Sequence, residues 1–196
     1  MTTQIICLKT KLIFNSEEDK QNIIEILKAE RTCFNYCSEQ HYGSKKNSIV
    51  ELHAKCYHNI REFYPEIKSQ IVIKAENSCL SAYKSIKSNK QKIDKPIVKK
   101  KLSCDFDQRL FSYKNGFFKL TTLSKRISVS PSLYPKLSEY LEKYQFGDIK
   151  ISAKNNDIYI SIPFKIEVEE PKQGLALGVD LGVRRFAATS EGIIIQ

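Results

Sequence analysis

The chain has 196 residues, 41% of them hydrophobic, with ten Phe and ten Tyr, enough apolar surface to bury a core and too much for a disordered chain. No stretch approaches the ~18 apolar residues of a membrane span, and the opening MTTQIICLKTKL carries no signal-peptide pattern. A reduced, cytoplasmic setting without membrane contact is therefore expected. The formal charge of +10 is unevenly placed, since residues 43–101 alone net +9, while 1–42 net −1 and 102–170 and 171–196 net +1 each. Such a concentration points to a localised face for a polyanion.

TQIICLKTKLIF alternates and predicts a first strand. At Ser16 the pattern changes. Ser16 with Asp19 resembles a capping box, and Ile23, Leu27, Phe34, Cys37 and His41 keep helical spacing up to Gly43. Ser48 with Glu51 opens a second helix carrying Ile49, Leu52, Cys56, Ile60 and Phe63, which Pro65 stops. A third helix carries Val72, Ala75, Cys79 and Ile86. These three helices are expected to form a small bundle. On one face of it stand Cys33, Cys37 and His41, with His53 and Cys56 on the next helix. That set has the residue types of a zinc site, but it coincides with the apolar spacing, so a core of small thiols is preferred and no zinc is expected.

Residues 87–101, KSNKQKIDKPIVKKK, are lysine-rich and lack periodicity, as a linker or flexible arm would. From about Arg109 the period becomes two. RLFSY and FFKLTTL flank Asn115-Gly116, and DIKISAK and DIYISIPFKIEV flank Asn155-Asn156, which predicts two hairpins. Between them SLYPKLSEYLEKYQF predicts a short helix starting near Ser132. The fold class expected is α+β. It consists of a β-barrel, residues 1–14 and 102–170, interrupted by a three-helix insertion over 15–86 and a basic linker over 87–101.

In the closing segment, 171–196, Leu175, Leu177, Val179 and Leu181 alternate onto one strand face. Ala176, Gly178, Asp180 and Gly182 take the other. A carboxylate on a face cleared of bulk leaves room for a metal ion or a phosphate. A second strand near Phe186 to Thr189, a turn at Glu191-Gly192 and a third strand through Ile193, Ile194 and Ile195 follow, which is how a ribonuclease-H-like fold begins. Two other readings stay open: Asp180 caps a turn, or D-L-G is the phosphate loop of an actin-like ATPase, though Val183-Arg184-Arg185 stands where that loop wants Gly, Thr or Ser.

Across its length the chain resembles the TnpB (OrfB) family of transposon-associated proteins, relatives of the type V CRISPR effectors. The resemblance is carried by RTCFNYCSEQ, EIKSQIVIKAENSCLSAYKSIK, KPIVKKKLSCDFDQRLFSY, FFKLTTLSKRISV and GVDLGVRRFAATSEG, in that order. It implies a wedge-like barrel, a helical recognition insertion and the first strands of an incomplete RNase H-like (RuvC-like) nuclease domain. Members of this transposase-associated family are RNA-guided DNA endonucleases that bind a guide RNA and target DNA and cut with Mg²⁺. On that basis Asp180 matches the first catalytic, metal-binding carboxylate. Lys99, Lys100 and Lys101 with Arg109, Phe117 and Arg126 fall where guide RNA is met, interleaving cations with aromatics as phosphate contact and base stacking require. The lysine run also reads as a plain solvated linker.

On the third helix Lys84 and Lys87, with Lys68 and Lys74, would follow a nucleic-acid backbone, and Arg184 and Arg185 follow Asp180. Only Glu191 comes after Asp180 as a further carboxylate, so this chain alone is expected not to cut DNA. It is expected to be the N-terminal part of such an endonuclease, and three strands without covering partners would expose an apolar edge at 175–196. The alternative is a truncated or repurposed nucleic-acid-binding protein without catalysis.

Overall fold

A computed structural model describes residues 2–168, 178–181, 187–190 and 194–195. The chain divides into a large compact unit, residues 5–166, and a smaller one holding the remainder. The fold is mixed α+β. Among the described residues it has four helices and a seven-stranded, nearly closed, barrel-like sheet.

Strand β1, Thr2–Ile13, alternates as its sequence dictates, with Leu8, Thr10 and Leu12 buried and Cys7, Lys9 and Lys11 exposed. Helix α1, Glu17–His41, begins where the Ser16 hydroxyl accepts the Asp19 amide at 3.1 Å, with three acidic residues in its first turn. Cap and charge both suit the positive end of the helix dipole. Gly43, at φ +77°, turns the chain out of it. Helix α2, Ile49–Phe63, starts the same way, with Ser48 accepting the Glu51 amide at 3.4 Å. Helix α3, Ser69–Ser88, has no side-chain cap.

The helices meet through small residues. Cys33 and Cys37 of α1, Cys56 of α2 and Cys79 of α3 are all buried. Burial pushes the Cys33 and Cys79 thiols up to about 12. Cys37 is raised further by its hydrogen bond with Cys56 and by burial. Helices α1 and α3 rest on the sheet at β2, Ser103–Phe106. That strand lies ahead of Arg109, where the period-two pattern sets in, because four residues are too few to show alternation against a lysine-rich flank.

The sheet continues with β3, Phe111–Lys114, β4, Phe117–Thr121, β5, Arg126–Pro131, β6, Ile149–Lys154, and β7, Asp157–Val168. The strand order is β2-β6-β7-β1-β5-β4-β3. Pairs β3–β4, β4–β5, β5–β1, β6–β7 and β2–β6 are antiparallel. Asn115 and Gly116 close the first hairpin, and Asn155 and Asn156 the second, all four at positive φ. Strands β2 and β3 are at opposite ends of this order, yet only residues 107–110 separate them in the chain. Phe106 and Phe111, five residues apart, span at most ~18 Å, so the two edges are held near each other and the sheet curls.

The interior is aromatic. Phe146 lies 5.6 Å from Phe164, 6.0 Å from Phe118 and 5.7 Å from Tyr113, centroid to centroid. Helix α4, Pro135–Lys143, buries Leu137 and sets Tyr140 edge-on to Phe164.

In the smaller unit, β8, Val179–Leu181, β9, Ala187–Thr189, and β10, Ile194–Ile195, form an antiparallel sheet in the order β10-β9-β8. Asp180 stands opposite Ala188. Leu175, Ala176, Leu177, Gly182, Val183, Arg184, Arg185, Phe186, Glu191, Gly192 and Ile193 lie outside the described residues. So does part of the exposed apolar edge expected at 175–196, of which Val179 is exposed.

Candidate nucleic-acid interface

Strands β3, β4 and β5 put one face into the core and the other into solvent. Phe111, Phe118, Leu120, Ile127 and Val129 point inward. The outer face is set by register: Lys114 lies opposite Phe117, Lys119 opposite both Ser112 and Ser128, and Thr121 opposite Arg126. Phe117 is 48% exposed, a ring left in water on a strand whose next residue is wholly buried. Arg126 donates from Nε to the Thr121 hydroxyl and from one terminal nitrogen to the Arg109 carbonyl, each at 3.0 Å. Its guanidinium is thereby fixed along the sheet surface, while the Arg109 side chain is 76% exposed and 3.6 Å from the Asp107 carboxylate. Between residues 108 and 138 the sequence has six basic residues and no acidic one. Lys125 is held by Glu18 at 2.8 Å and Asp19 at 3.4 Å, but a fixed guanidinium, an exposed ring and the exposed Lys114 and Lys119 are what phosphate contact and base stacking need.

The lysine run divides. Lys99 donates to both oxygens of Glu30, at 2.6 and 2.7 Å, and to the Ser103 carbonyl at 2.8 Å, with its amide on Asn35 Oδ1. Glu30 is 1% exposed, and burial raises its pKa against the pull of Lys99. Lys99 is therefore a fastener between α1 and the entry to β2, and its cation is committed inside the protein. Residues 91–101 form no helix or strand, as a linker would, and Lys99 anchors them near their end. Lys100 and Lys101 remain exposed with no acidic partner among the described residues.

On α3, Lys74 holds Asp148 at 2.7 Å and Asp107 at 3.4 Å. Burial would lower its pKa, but these two carboxylates raise it on balance. Lys68, Lys84 and Lys87 are exposed. Lys84 and Lys87 belong to the end of α3, whereas Arg109, Phe117 and Arg126 belong to the β3–β5 face. Both sets lie in the larger unit.

No protein-family model and no curated protein matches this chain. What the surface can do therefore rests on its own chemistry.

Asp180 is the one carboxylate among the described residues of β8, β9 and β10. A single carboxylate does not make a Mg²⁺ site. Among the described residues no group of three His, Cys, Asp or Glu is arranged to hold a metal ion, and no helix is long and apolar enough to cross a membrane. Arg184 and Arg185 lie outside the described residues.

Sequence reasoning missed Lys114 and Lys119, and it missed the buried carboxylates Glu30 and Glu76. The first two were hidden by averaging charge over 102–170, where acidic residues at the two ends cancel the basic centre. A shorter window combined with the hairpin register would have found them. Glu76 is wholly buried on α3, with Oε2 2.8 Å from His53 Nδ1 and Oε1 without a hydrogen-bond partner. Its pKa is raised by burial, against the pull of His53. Nothing in the helical pattern distinguishes it from a surface Glu.

Proposed function

We propose that this chain is the nucleic-acid-gripping part of a TnpB-like RNA-guided DNA endonuclease, a wedge-like barrel with a helical insertion that binds guide RNA and target DNA. The observation that carries the proposal is the outer face of β3, β4 and β5, where the register sets Phe117 among Lys114, Lys119 and Arg126 and the strands themselves contribute no acidic residue. Lys100 and Lys101 would extend the contact, and the α3 lysines would follow a duplex backbone. The three-stranded sheet carrying Asp180 supports an RNase H-like opening, because consecutive antiparallel strands with a carboxylate on the first are what such a fold starts with. Cleavage with Mg²⁺ enters the proposal only together with carboxylates beyond Asp180.

The full chain purified without nuclease treatment should retain one structured RNA species through a moderate-salt wash. Recovery of bulk cellular RNA in proportion to its abundance would contradict guide binding and leave a nonspecific binder. The second reading, a nucleic-acid-binding protein without catalysis, is favoured by the solitary position of Asp180 among the described strands. Mg²⁺-dependent nicking of a guide-matched DNA, abolished by Asp180→Ala, would exclude it.

A further inference from the structure

At the end of the helical bundle where α1 and α3 finish and α2 begins lies a half-open cavity of about 570 Å³. It is bounded by the last turns of α1 and α3, the turn after α1, and the chain that leaves α3. That volume falls within the usual range for a small-ligand site. Its lining contains three lysines, Lys45, Lys84 and Lys87, and no acidic residue. All three lysines are exposed and have no carboxylate partner among the described residues.

Two helices end here, and helix C-termini attract cations, but part of each end is already satisfied. The carbonyls of Ser85, Ile86 and Lys87 accept from the amides of Asn89, Gln91 and Lys90, and those of Ser38 and His41 accept from Tyr42 and Ser44. Beside the lysines the lining is apolar and aromatic, with Ile86, Ile93 and the Tyr83 ring, which stands edge-on to His41 at 4.7 Å. The Tyr83 hydroxyl is occupied, at 3.0 Å from both the hydroxyl and the carbonyl oxygen of Ser38. The lining therefore offers ring and methyl surface with two side-chain amides: that of Asn47 donates to the Leu80 carbonyl at 3.1 Å, and that of Gln91 is able both to donate and to accept.

A lining that joins three cations to ring, methyl and amide groups is complementary to a group that is anionic at one end and apolar and hydrogen-bonding at the other. We propose that this cavity binds a single nucleotide, its base against Ile86, Ile93 and Tyr83 and its phosphate on Lys45, Lys84 and Lys87. A free nucleotide and an unstacked nucleotide of a bound strand present the same chemistry. That the nucleotide belongs to a bound strand rests on the function proposed above; the complementarity of the cavity does not.

The test is an amide NMR titration of the full chain with AMP, with adenosine and with inorganic phosphate, alongside binding of a single-stranded oligoadenylate. AMP should give saturable shifts concentrated at Lys84, Ile86, Lys87, Gln91 and Ile93, with adenosine and phosphate each at least about tenfold weaker. Ile93, itself partly exposed, allows a variant that keeps the fold: Ile93→Asp should weaken AMP by about tenfold by putting a hydrated carboxylate where the base packs and a negative charge into an anion site, and Ile93→Val should not. Phosphate matching AMP in affinity would overturn the proposal, as would shifts spread over lysines elsewhere or insensitive to Ile93→Asp.

The oligonucleotide arm separates the sources. If it binds and Ile93→Asp weakens it, the cavity takes a nucleotide of the strand. If AMP saturates the cavity while no strand binds at low salt, the cavity takes a free nucleotide and the reading of the sheet face is what fails. If the strand binds but AMP does not, the cavity proposal fails and the sheet face stands.

Discussion

Lys99 and Glu30 tie the helical insertion to the barrel by one buried ion pair, and their energetics are asymmetric. Removing one partner leaves the other charge in a site water does not reach, which costs about 3–5 kcal/mol. Lys99→Met should therefore lower the urea midpoint sharply, whereas Lys99→Met with Glu30→Met should recover most of the loss, and Lys100→Ala should change stability by less than about 0.5 kcal/mol. Equal effects at Lys99 and Lys100 would mean the pair is not formed.

Glu76 makes a second prediction, with a sign that can be fixed. Its folded pKa lies above the ordinary carboxylate value of 4.5, so the folded state holds that proton more tightly than the unfolded one. Its stabilising share is complete below the unfolded value and is lost as pH rises through the raised folded value. Denaturant midpoints from about pH 4 upward should show this loss in the wild type, and Glu76→Gln should remove it. Identical pH profiles would show that Glu76 ionises in the fold as freely as in the unfolded chain.

At the scale of elements, much was legible because local chemistry and tertiary packing agree. Ser16 and Ser48 cap the helices they were expected to cap, and Asn115-Gly116 makes its hairpin because both residues tolerate positive φ. Gly116→Ala, at φ +82°, should accordingly cost about 1 kcal/mol. What was not legible is long-range. Lys99 reads as one of three equivalent lysines until Glu30, 69 positions away, is placed against it. The outward pairing of Lys114 with Phe117 and of Lys119 with Ser128 exists only once the register is set.

That face carries its own prediction. Phe117→Ala should weaken single-stranded RNA binding by about 1–3 kcal/mol through lost stacking, with little effect on the melting temperature because the ring is already half in water. Thiol reactivity reports on the bundle. Cys7, exposed, should react at once with a thiol reagent, and the buried Cys33, Cys37, Cys56, Cys79 and Cys104 only as the protein unfolds. Rapid reaction of a second thiol in the native state would mean that the helical insertion opens independently.

For the whole molecule, the proposed role has the larger unit gripping nucleic acid through the β3–β5 face and the exposed lysines, independently of Asp180. Asp180→Ala should therefore leave RNA affinity unchanged. The most direct test is the salt dependence of single-stranded RNA binding by the full chain. Wild type would be compared with Lys119→Ala/Arg126→Ala and with Lys100→Ala/Lys101→Ala. Each lost phosphate contact should make the slope of log affinity against log salt shallower by about 0.7, and each pair of substitutions by up to twice that. A slope indifferent to all four substitutions, or no saturable binding at low salt, would contradict the account.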